Sequence, residues 1–198
     1  MSEISAKLVS ELREKTGLGM MDCKKALVES KGDIEAAITA LRKKGELKAG
    51  AKADRATKEG VIASYIHMQG KVGVLIEVNC ETDFVAKNEA FREFVKDVTL
   101  HIAAANPKVV NRDQVDAKLI EQEREIAAAQ IKDKPAAVVE KIVQGKVDKF
   151  LSSIALMEQG FIKDPETTIE QLLKQQIAKL GENIQIRRFV RYAVGQEL

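Results

Sequence analysis

The sequence contains no tryptophan, and aromatic residues make up only 4% of its 198 positions. A hydrophobic core must therefore consist mainly of aliphatic side chains, which fits a helix-rich protein. Cysteine occurs only at Cys23 and Cys80, outside any CxxC pair, which indicates reduced thiols in a reducing compartment. An apolar run of about 18 residues and a signal-peptide pattern at the N-terminus are both missing. We therefore expect a cytoplasmic protein without a transmembrane helix.

The sequence also lacks a strong excess of either charge, with 32 basic and 30 acidic residues and a net charge of +2. A protein dedicated to nucleic acid usually has a larger basic excess, so we expect no direct binding to nucleic acid. Locally, residues 42–58 hold seven basic residues against two acidic ones, which predicts a flexible basic linker over residues 46–58. An RNA-binding module that uses this linker is a minor alternative, because no aromatic stacking residues accompany the charges.

Residues 4–44 carry three apolar stripes with the spacing of α-helices. The first stripe stops at Thr16-Gly17, the second near Gly32 and the third before Gly45, since glycine favours helix ends. Each helix has one apolar face, so the three together can enclose a small core. The pattern predicts a three-helix domain over residues 1–45, which would be only marginally stable alone.

The following part of the chain changes to alternating periodicity. Residues 61–67 are rich in β-branched and aromatic residues, and residues 72–79 alternate between apolar and other residues. The two runs flank the turn sequence Met68-Gln69-Gly70 and predict a β-hairpin with one buried face. A later run over residues 184–192 alternates in the same way. We expect this late strand to pair with the hairpin.

Helical spacing returns around these strands. The segments that show it are residues 91–102, 113–131, 135–150 and 168–180. The second and third are rich in charge and are separated by Lys132-Asp133-Lys134-Pro135, which predicts a projecting helical hairpin over residues 113–150. The fold class is therefore α+β, in which a three-helix domain precedes an antiparallel-sheet core with helices over residues 59–198.

Residues that could support enzymatic chemistry are scarce. The two histidines, His67 and His101, lie in no HExxH motif, and the sequence has neither a P-loop nor a GxGxxG motif. No local signature pairs a cysteine with a histidine, so we interpret all four residues as packing or surface residues. The sequence predicts a protein that is not an enzyme and that uses neither a metal nor a cofactor.

The segment Asn79–Asn88 departs from this structural pattern. It follows an apolar strand and precedes an amphipathic helix, so Thr82 or Asp83 can cap that helix. Capping alone accounts for these two residues about as well as a functional role does. Phe84 fits it less well, since an aromatic residue at such a junction is either a hydrophobic anchor or directed at a partner.

Three stretches of the sequence resemble the elongation factor Ts family. The first is LREKTGLGMMDCKKAL from Leu12 to Leu27, continued by Gly32–Glu35 and Leu41–Gly45. The second is EVNCETDFVAK from Glu77 to Lys87, and the third is GENIQIRRF from Gly181 to Phe189. The first two are long and specific, and the resemblance spans nearly the whole chain.

This resemblance implies a fold and a partner. The N-terminal helices would form a ubiquitin-associated-like domain, and the protein would promote release of GDP from the GTPase EF-Tu. The chain carries one copy of the sheet-and-helix core where longer members carry two. Similar short forms complete the second half by homodimerisation, which implies a homodimer and a two-to-two complex with EF-Tu.

The resemblance also implies contact residues. Thr82, Asp83, Phe84 and Val85 would enter the GTPase near its magnesium ion, without touching the nucleotide. Arg13, Met20 and Met21 would form a second contact, and His67 matches a contact position more loosely. Met20 lies on the apolar stripe of its helix and is more easily interpreted as core, whereas Arg13 and Met21 lie off it. A scaffold that binds a partner without affecting nucleotide exchange is the other alternative, but it leaves residues 82–85 unexplained.

Overall fold

The computed structural model describes residues 4–131 and 135–196. Within these residues the chain contains eight α-helices and five β-strands, and the predicted α+β class is confirmed. The chain divides into two compact units. Unit 1 comprises Met1–Gly60, Asn79–Phe91 and Gln171–Gln185. Unit 2 comprises Val61–Val78, Arg92–Glu170 and Ile186–Leu198.

Three helices open unit 1, as the apolar stripes predict: α1 (Ala6–Thr16), α2 (Met20–Glu29) and α3 (Ile34–Gly50). The Ser5 and Asp33 side chains cap α1 and α3 by accepting a hydrogen bond from a first-turn N–H. Gly17 ends α1 with a left-handed φ of 66°, a conformation that glycine adopts without steric cost. The shared core of the three helices is built by Val9, Leu12, Cys23, Ala26, Leu27, Ala37 and Leu41. A likeness to ubiquitin-associated domains stays a prediction.

The third helix is longer than its sequence pattern predicts. It continues through Gly45 to Gly50, so the first part of the predicted basic linker is helical. Gly45 lies inside the helix, and a Cβ there would be only 3.3 Å from the Cβ of Ala178. This close approach favours a glycine at the position. The Lys48 side chain, also predicted in the linker, lies outside the described residues. The domain boundaries at residues 1–45, 46–58 and 59–198 stay a prediction.

A three-stranded sheet forms from β1 (Glu59–His67), β2 (Val72–Cys80) and β5 (Ile184–Ala193), in the order β1-β2-β5. The predicted hairpin turn is present, and Met68, Gln69 and Gly70 all have positive φ. The late strand pairs with β2, as the alternation predicts. Every second residue of β2 is buried, which confirms the predicted apolar face: Val72, Val74, Ile76, Val78 and Cys80.

Two helices follow β2. The first is α4 (Asp83–Lys87), and the second, α5 (Glu89–Ala105), ends before Pro107 as predicted. The short helix α4 has no counterpart in the predicted elements, because five residues are too few for a periodic pattern to be visible.

A helical hairpin in unit 2 consists of α6 (Ala117–Ala129) and α7 (Ala136–Ile154). Its narrow core contains Ala127, Val143, Val147 and Leu151. The predicted turn residues 132–134 lie outside the described residues. At its base, the Arg112 guanidinium donates to both carboxylate oxygens of Glu158, with its Nε 2.6 Å from Oε1. That contact lowers the pKa of Glu158.

A short hairpin of β3 (Gly160–Phe161) and β4 (Asp164–Thr168) precedes α8 (Ile169–Leu180). Neither short strand is predicted from the sequence, since the segment contains proline and charged residues and lacks an apolar alternation. None of the described helices is both long and apolar enough to cross a membrane.

Candidate functional site

The segment between β2 and α5 is fixed by two helix caps. Thr82 has an extended backbone, and its hydroxyl accepts a hydrogen bond of 3.4 Å from the N–H of Val85. Asn88 separates α4 from α5, and its side-chain oxygen accepts from the N–H of Ala90 at 2.9 Å. Of the two capping candidates in the sequence, Thr82 is the cap, and Asp83 begins α4. The segment is therefore a one-turn helix with a defined start and end.

The side chains of this turn point in different directions. Phe84 is 77% exposed, whereas the other five phenylalanines are buried or half-buried. Thr82 and Asp83 are exposed as well. Val85 is only 4% exposed and packs inside the protein. Two consecutive residues thus present a carboxylate and an aromatic ring at the surface, and the buried valine that follows anchors the turn.

Asp83 carries its charge next to a cation. The Lys87 ammonium donates to Asp83 Oδ2 at 2.7 Å, one helical turn further along α4. This hydrogen bond and the positive charge lower the pKa of Asp83 and raise the pKa of Lys87. The carboxylate is therefore ionised at neutral pH, and its side chain is exposed to solvent.

An acidic residue from the turn after α8 holds the backbone before α4. Glu182 Oε2 accepts hydrogen bonds from the N–H groups of Glu81 and Thr82 at 3.1 and 3.0 Å. Its Oε1 accepts from the Thr82 hydroxyl at 2.6 Å. The sequence does not predict this contact, because Glu182 is 100 positions away from Thr82. Its only signal is that Glu182 lies in the third stretch that resembles elongation factor Ts.

Cys80 lies under the same segment. Its thiol is buried and lies 3.2 Å from the carbonyl oxygen of Thr82, to which it donates. Burial raises the pKa of Cys80 to about 11, and the nearby Glu182 carboxylate contributes in the same direction. The thiol stays protonated at neutral pH, which agrees with its interpretation as a packing residue.

The predicted contact residues of the N-terminal helices are exposed. Arg13 lies on the surface of α1, and Met21 in α2 is 66% exposed. The periodicity of α2 favours a core position for Met20, but this expectation is wrong, since Met20 is 44% exposed. Met20 is the first residue of its helix, and helical side chains lean towards the N-terminus. Its side chain therefore extends past the N-terminal end of the buried part of α2, whose first buried residue is Cys23.

The two regions predicted to bind a partner belong to the same compact unit. Arg13, Met20 and Met21 lie in unit 1, as do residues 82–85. Helix α8 connects them: Ala178 approaches Gly45 of α3, and the turn after α8 supplies Glu182. His67, in contrast, belongs to unit 2. There its Nδ1 lies 2.9 Å from the Tyr65 hydroxyl and the two rings stack.

The second histidine is structural, as expected. His101 is 1% exposed, its Nδ1 accepts from the N–H of Ile162 at 3.2 Å, and its Nε2 lies 2.9 Å from Gln159 Oε1. Burial lowers the pKa of His101, and the hydrogen bond to Gln159 opposes this only in part. Across residues 4–131 and 135–196, no three His, Cys, Asp or Glu side chains are grouped so as to hold a metal ion.

Comparison with known proteins identifies relatives over the full chain. A family model described as Elongation factor TS matches residues 2–196. A protein named Elongation factor Ts from Geobacter sulfurreducens is 53% identical over 197 residues, which cover 98% of this chain and 91% of the relative. Proteins of the same name from Anaeromyxobacter sp. strain K and Desulforamulus reducens are 56% and 54% identical over 200 residues. These matches cover 100% of this chain and 91% and 92% of the relatives.

Proposed function

The chain belongs to the elongation factor Ts family of translation elongation factors, and we propose that it promotes the release of GDP from EF-Tu so that GTP can bind. It does so as a binding protein with no catalytic chemistry of its own. The observation that carries this proposal is the paired exposure of Asp83 and Phe84 on a fixed helical turn. The Phe84 ring is 77% exposed, and contact between an apolar ring and water is unfavourable in the free protein. Binding to a partner would bury this ring.

The mechanism follows from the chemistry of the nucleotide site. In a GTPase, magnesium bridges the phosphates and oxygen ligands of the protein, so disturbing its coordination removes a strong charge interaction. We assign to Phe84 the insertion into an apolar pocket beside that site and to Asp83 the disturbance of the polar network around the ion. Thr82 and Val85 then support these two side chains by capping and by packing.

A second contact surface is needed on energetic grounds. Accelerating release about a thousandfold requires a barrier lower by about 4 kcal/mol. Burial of one phenylalanine contributes about 1.5–3 kcal/mol, which falls short. Arg13, Met20 and Met21 are exposed in the same unit as Phe84 and are the candidates for the additional contact. His67 is a weaker candidate, because it belongs to unit 2.

Stopped-flow fluorescence tests this function. EF-Tu is loaded with a fluorescent GDP analogue and mixed with the protein and excess GDP, and the release rate is followed. We expect the wild-type protein to accelerate release strongly and Phe84→Ala to lose roughly ten- to a hundredfold of this effect, the value of one buried phenylalanine. Leu47→Ala is the matched control, since Leu47 is equally exposed in the same unit. No acceleration by the wild type would exclude the function, and full activity of Phe84→Ala would exclude the mechanism.

The proposed active form is a homodimer in a two-to-two complex with EF-Tu. An apolar sheet surface in unit 2 supports it: Leu75 lies on the face of β2 opposite the buried residues. Ile66 of β1 shares that face, since its Cδ1 would be 3.2 Å from a Cβ on Gly73. The exposed apolar side chains of the three strands are Ile62, Ile66, Leu75, Val190 and Tyr192. Single exposed apolar residues are common, but a set on one small sheet indicates an interface.

Light scattering coupled to size-exclusion chromatography tests the dimer. We expect the mass of two chains for the wild type and of one chain for Leu75→Glu, because a charge cannot be buried in an apolar interface. Leu119→Glu, at an exposed position of α6, is the control and should remain dimeric. Addition of EF-Tu·GDP should give two copies of each protein. A wild-type protein that elutes as a single chain at micromolar concentration would refute the dimer.

A further inference from the structure

The Glu182 carboxylate accepts three hydrogen bonds from Glu81 and Thr82, the two residues that precede α4. We propose that Glu182 is a positioning residue for exchange, which holds the start of α4 so that Phe84 and Asp83 point at the partner. The inference rests on the proposed exchange function and extends it to a residue outside the segment 82–85. Glu182 itself need not touch the partner.

The helix α4 needs such support because it is short. A helix of five residues contains too few internal hydrogen bonds to form on its own, since the first turn is costly to nucleate. Its cap is also long, with 3.4 Å between the Thr82 hydroxyl and the N–H of Val85. Glu182 orients that hydroxyl, which donates to the carboxylate at 2.6 Å and thereby turns its lone pair towards Val85. Hydrogen bonds to an ionised carboxylate are stronger than neutral ones.

The contact is reciprocal, which makes it rigid. Glu81 Oε1 accepts from the N–H of Asn183 at 2.6 Å, so each loop supplies an acidic side chain to the backbone of the other. Arg55 Nη1 lies 3.6 Å from the same Glu81 oxygen. The side chain of Asn183 is buried, and its Nδ2 donates to the carbonyl oxygens of Ala53 and Arg55 at 3.1 and 2.8 Å. Residues 53–55, 81–82 and 182–183 are thus joined within unit 1.

The turn that delivers Glu182 is itself held in place. Gly181 has a φ of 79°, a conformation that favours glycine, and ends α8. Lys52 donates from its Nζ to the carbonyl oxygen of Gly181. The segment after α3 therefore contributes a fixed cation at this point, although its composition predicts a flexible linker. These contacts give Glu182 one position relative to Thr82, which is the requirement for a positioning residue.

The decisive experiment measures both the saturating rate of GDP release and the protein concentration at half-saturation. We expect Glu182→Ala to lower the saturating rate by roughly ten- to a hundredfold, because a displacement of Phe84 and Asp83 by about 1 Å weakens contacts that depend on exact placement. The half-saturating concentration should change less, because Arg13 and Met21 are untouched. Glu182→Gln keeps the size and one acceptor oxygen, so we expect an intermediate rate.

A double-mutant cycle separates positioning from general damage. If Glu182 acts through Phe84 and Asp83, then Glu182→Ala should cause a smaller loss in a Phe84→Ala background than in the wild type, because only the orientation of Asp83 is left to lose. Equal slowing in both backgrounds, or a full saturating rate for Glu182→Ala, would overturn the proposal. Should Glu182→Ala fail to fold, the same comparisons are made with Glu182→Gln. A wild-type protein that does not accelerate release would instead refute the exchange function itself.

A second readout does not depend on EF-Tu. The amides of Glu81 and Thr82 donate to Glu182, so their hydrogen exchange should become faster by at least roughly tenfold in Glu182→Ala. The amide of Ala37 in α3 is bonded to Asp33 and serves as the internal control. Unchanged hydrogen exchange at the amides of Glu81 and Thr82 would show that Glu182 does not order this segment. This result is independent of whether the protein promotes the release of GDP.

Discussion

The ammonium group of Lys87 lies 2.7 Å from the carboxylate of Asp83, and both side chains are exposed on α4. Surface ion pairs of this kind contribute little to folding. Their consequence is local: the hydrogen bond from Lys87 holds the Asp83 carboxylate against the surface of α4. The free protein therefore presents a charge that is paired but still accessible.

This pair predicts that substitutions of its two residues have different effects on GDP release. Asp83→Asn should slow GDP release from EF-Tu by roughly tenfold, the loss expected for one hydrogen bond to a charged group. Lys87→Met should not slow release, because it frees the carboxylate instead of removing it. Stopped-flow release at saturating protein measures both. If Lys87→Met slows GDP release and Asp83→Asn leaves it at the wild-type rate, then the lysine and not the aspartate acts on the partner.

The burial of Val85 next to the exposed Phe84 separates stability from binding. Val85→Ala should lower the free energy of unfolding by about 1–3 kcal/mol, since it removes two buried methyl groups. Phe84→Ala should change it by less than about 0.5 kcal/mol, as expected at an exposed site. Urea denaturation followed by circular dichroism gives both values. If the two variants lose equal stability, Phe84 packs against its own protein and the proposed contact is wrong.

The N-terminal contact is predicted both to strengthen binding and to contribute to the rate of release. Arg13→Ala and Met21→Ala should each raise the half-saturating concentration by roughly five- to tenfold and also lower the saturating rate, because this contact supplies part of the reduction of the barrier. Their unfolding free energies should stay close to the wild type, since both side chains are exposed. Leu47→Ala again provides the control. Unaltered half-saturation in both variants would place the second contact elsewhere.

His101 predicts a specific loss of stability on acidification. Its pKa is lowered in the folded state by burial, so below about pH 6.5 the unfolded chain takes up a proton that the folded protein does not. Stability attributable to His101 is therefore complete above that pH and decreases below it, by at most about 1.4 kcal/mol per pH unit. Protonation of Nδ1 would also break the hydrogen bond from Ile162.

Urea denaturation between pH 5.5 and 7.5 at constant ionic strength measures this effect. His101→Gln removes the titrating group and should flatten the dependence, whatever its stability at pH 7. His67→Gln, at the other histidine, is the control and should retain the slope. A wild-type stability that is constant over this range would contradict the prediction.

Local sequence signals predict much of this fold. The alternation of Val72, Val74, Ile76 and Val78 identifies the buried face of β2, because side chains in a strand alternate by geometry. The sequence indicates a cap at Thr82 or Asp83 before the amphipathic helix, but Thr82 caps the short helix α4, which the sequence does not predict. Gly45, however, resembles a helix end and lies inside α3; the close approach of Ala178 explains why a residue of low helix propensity occupies this position.

The candidate site is predictable only in part. Phe84 stands out as an aromatic residue at a junction, and its exposure agrees with that. The roles of Val85 and Glu182 depend on tertiary contacts: one residue faces inward, and the other reaches the segment from 100 positions away. No periodic pattern encodes a single carboxylate that accepts backbone hydrogen bonds from a distant loop.

The distance in sequence between Thr82 and Glu182 has a consequence for biosynthesis. The ribosome makes residues 82–85 long before it makes the carboxylate that orders them. During translation these residues leave the exit tunnel without their acceptor, and they acquire a fixed geometry only when the last part of the chain has emerged. A prematurely terminated product can therefore carry the motif in full and still lack its shape.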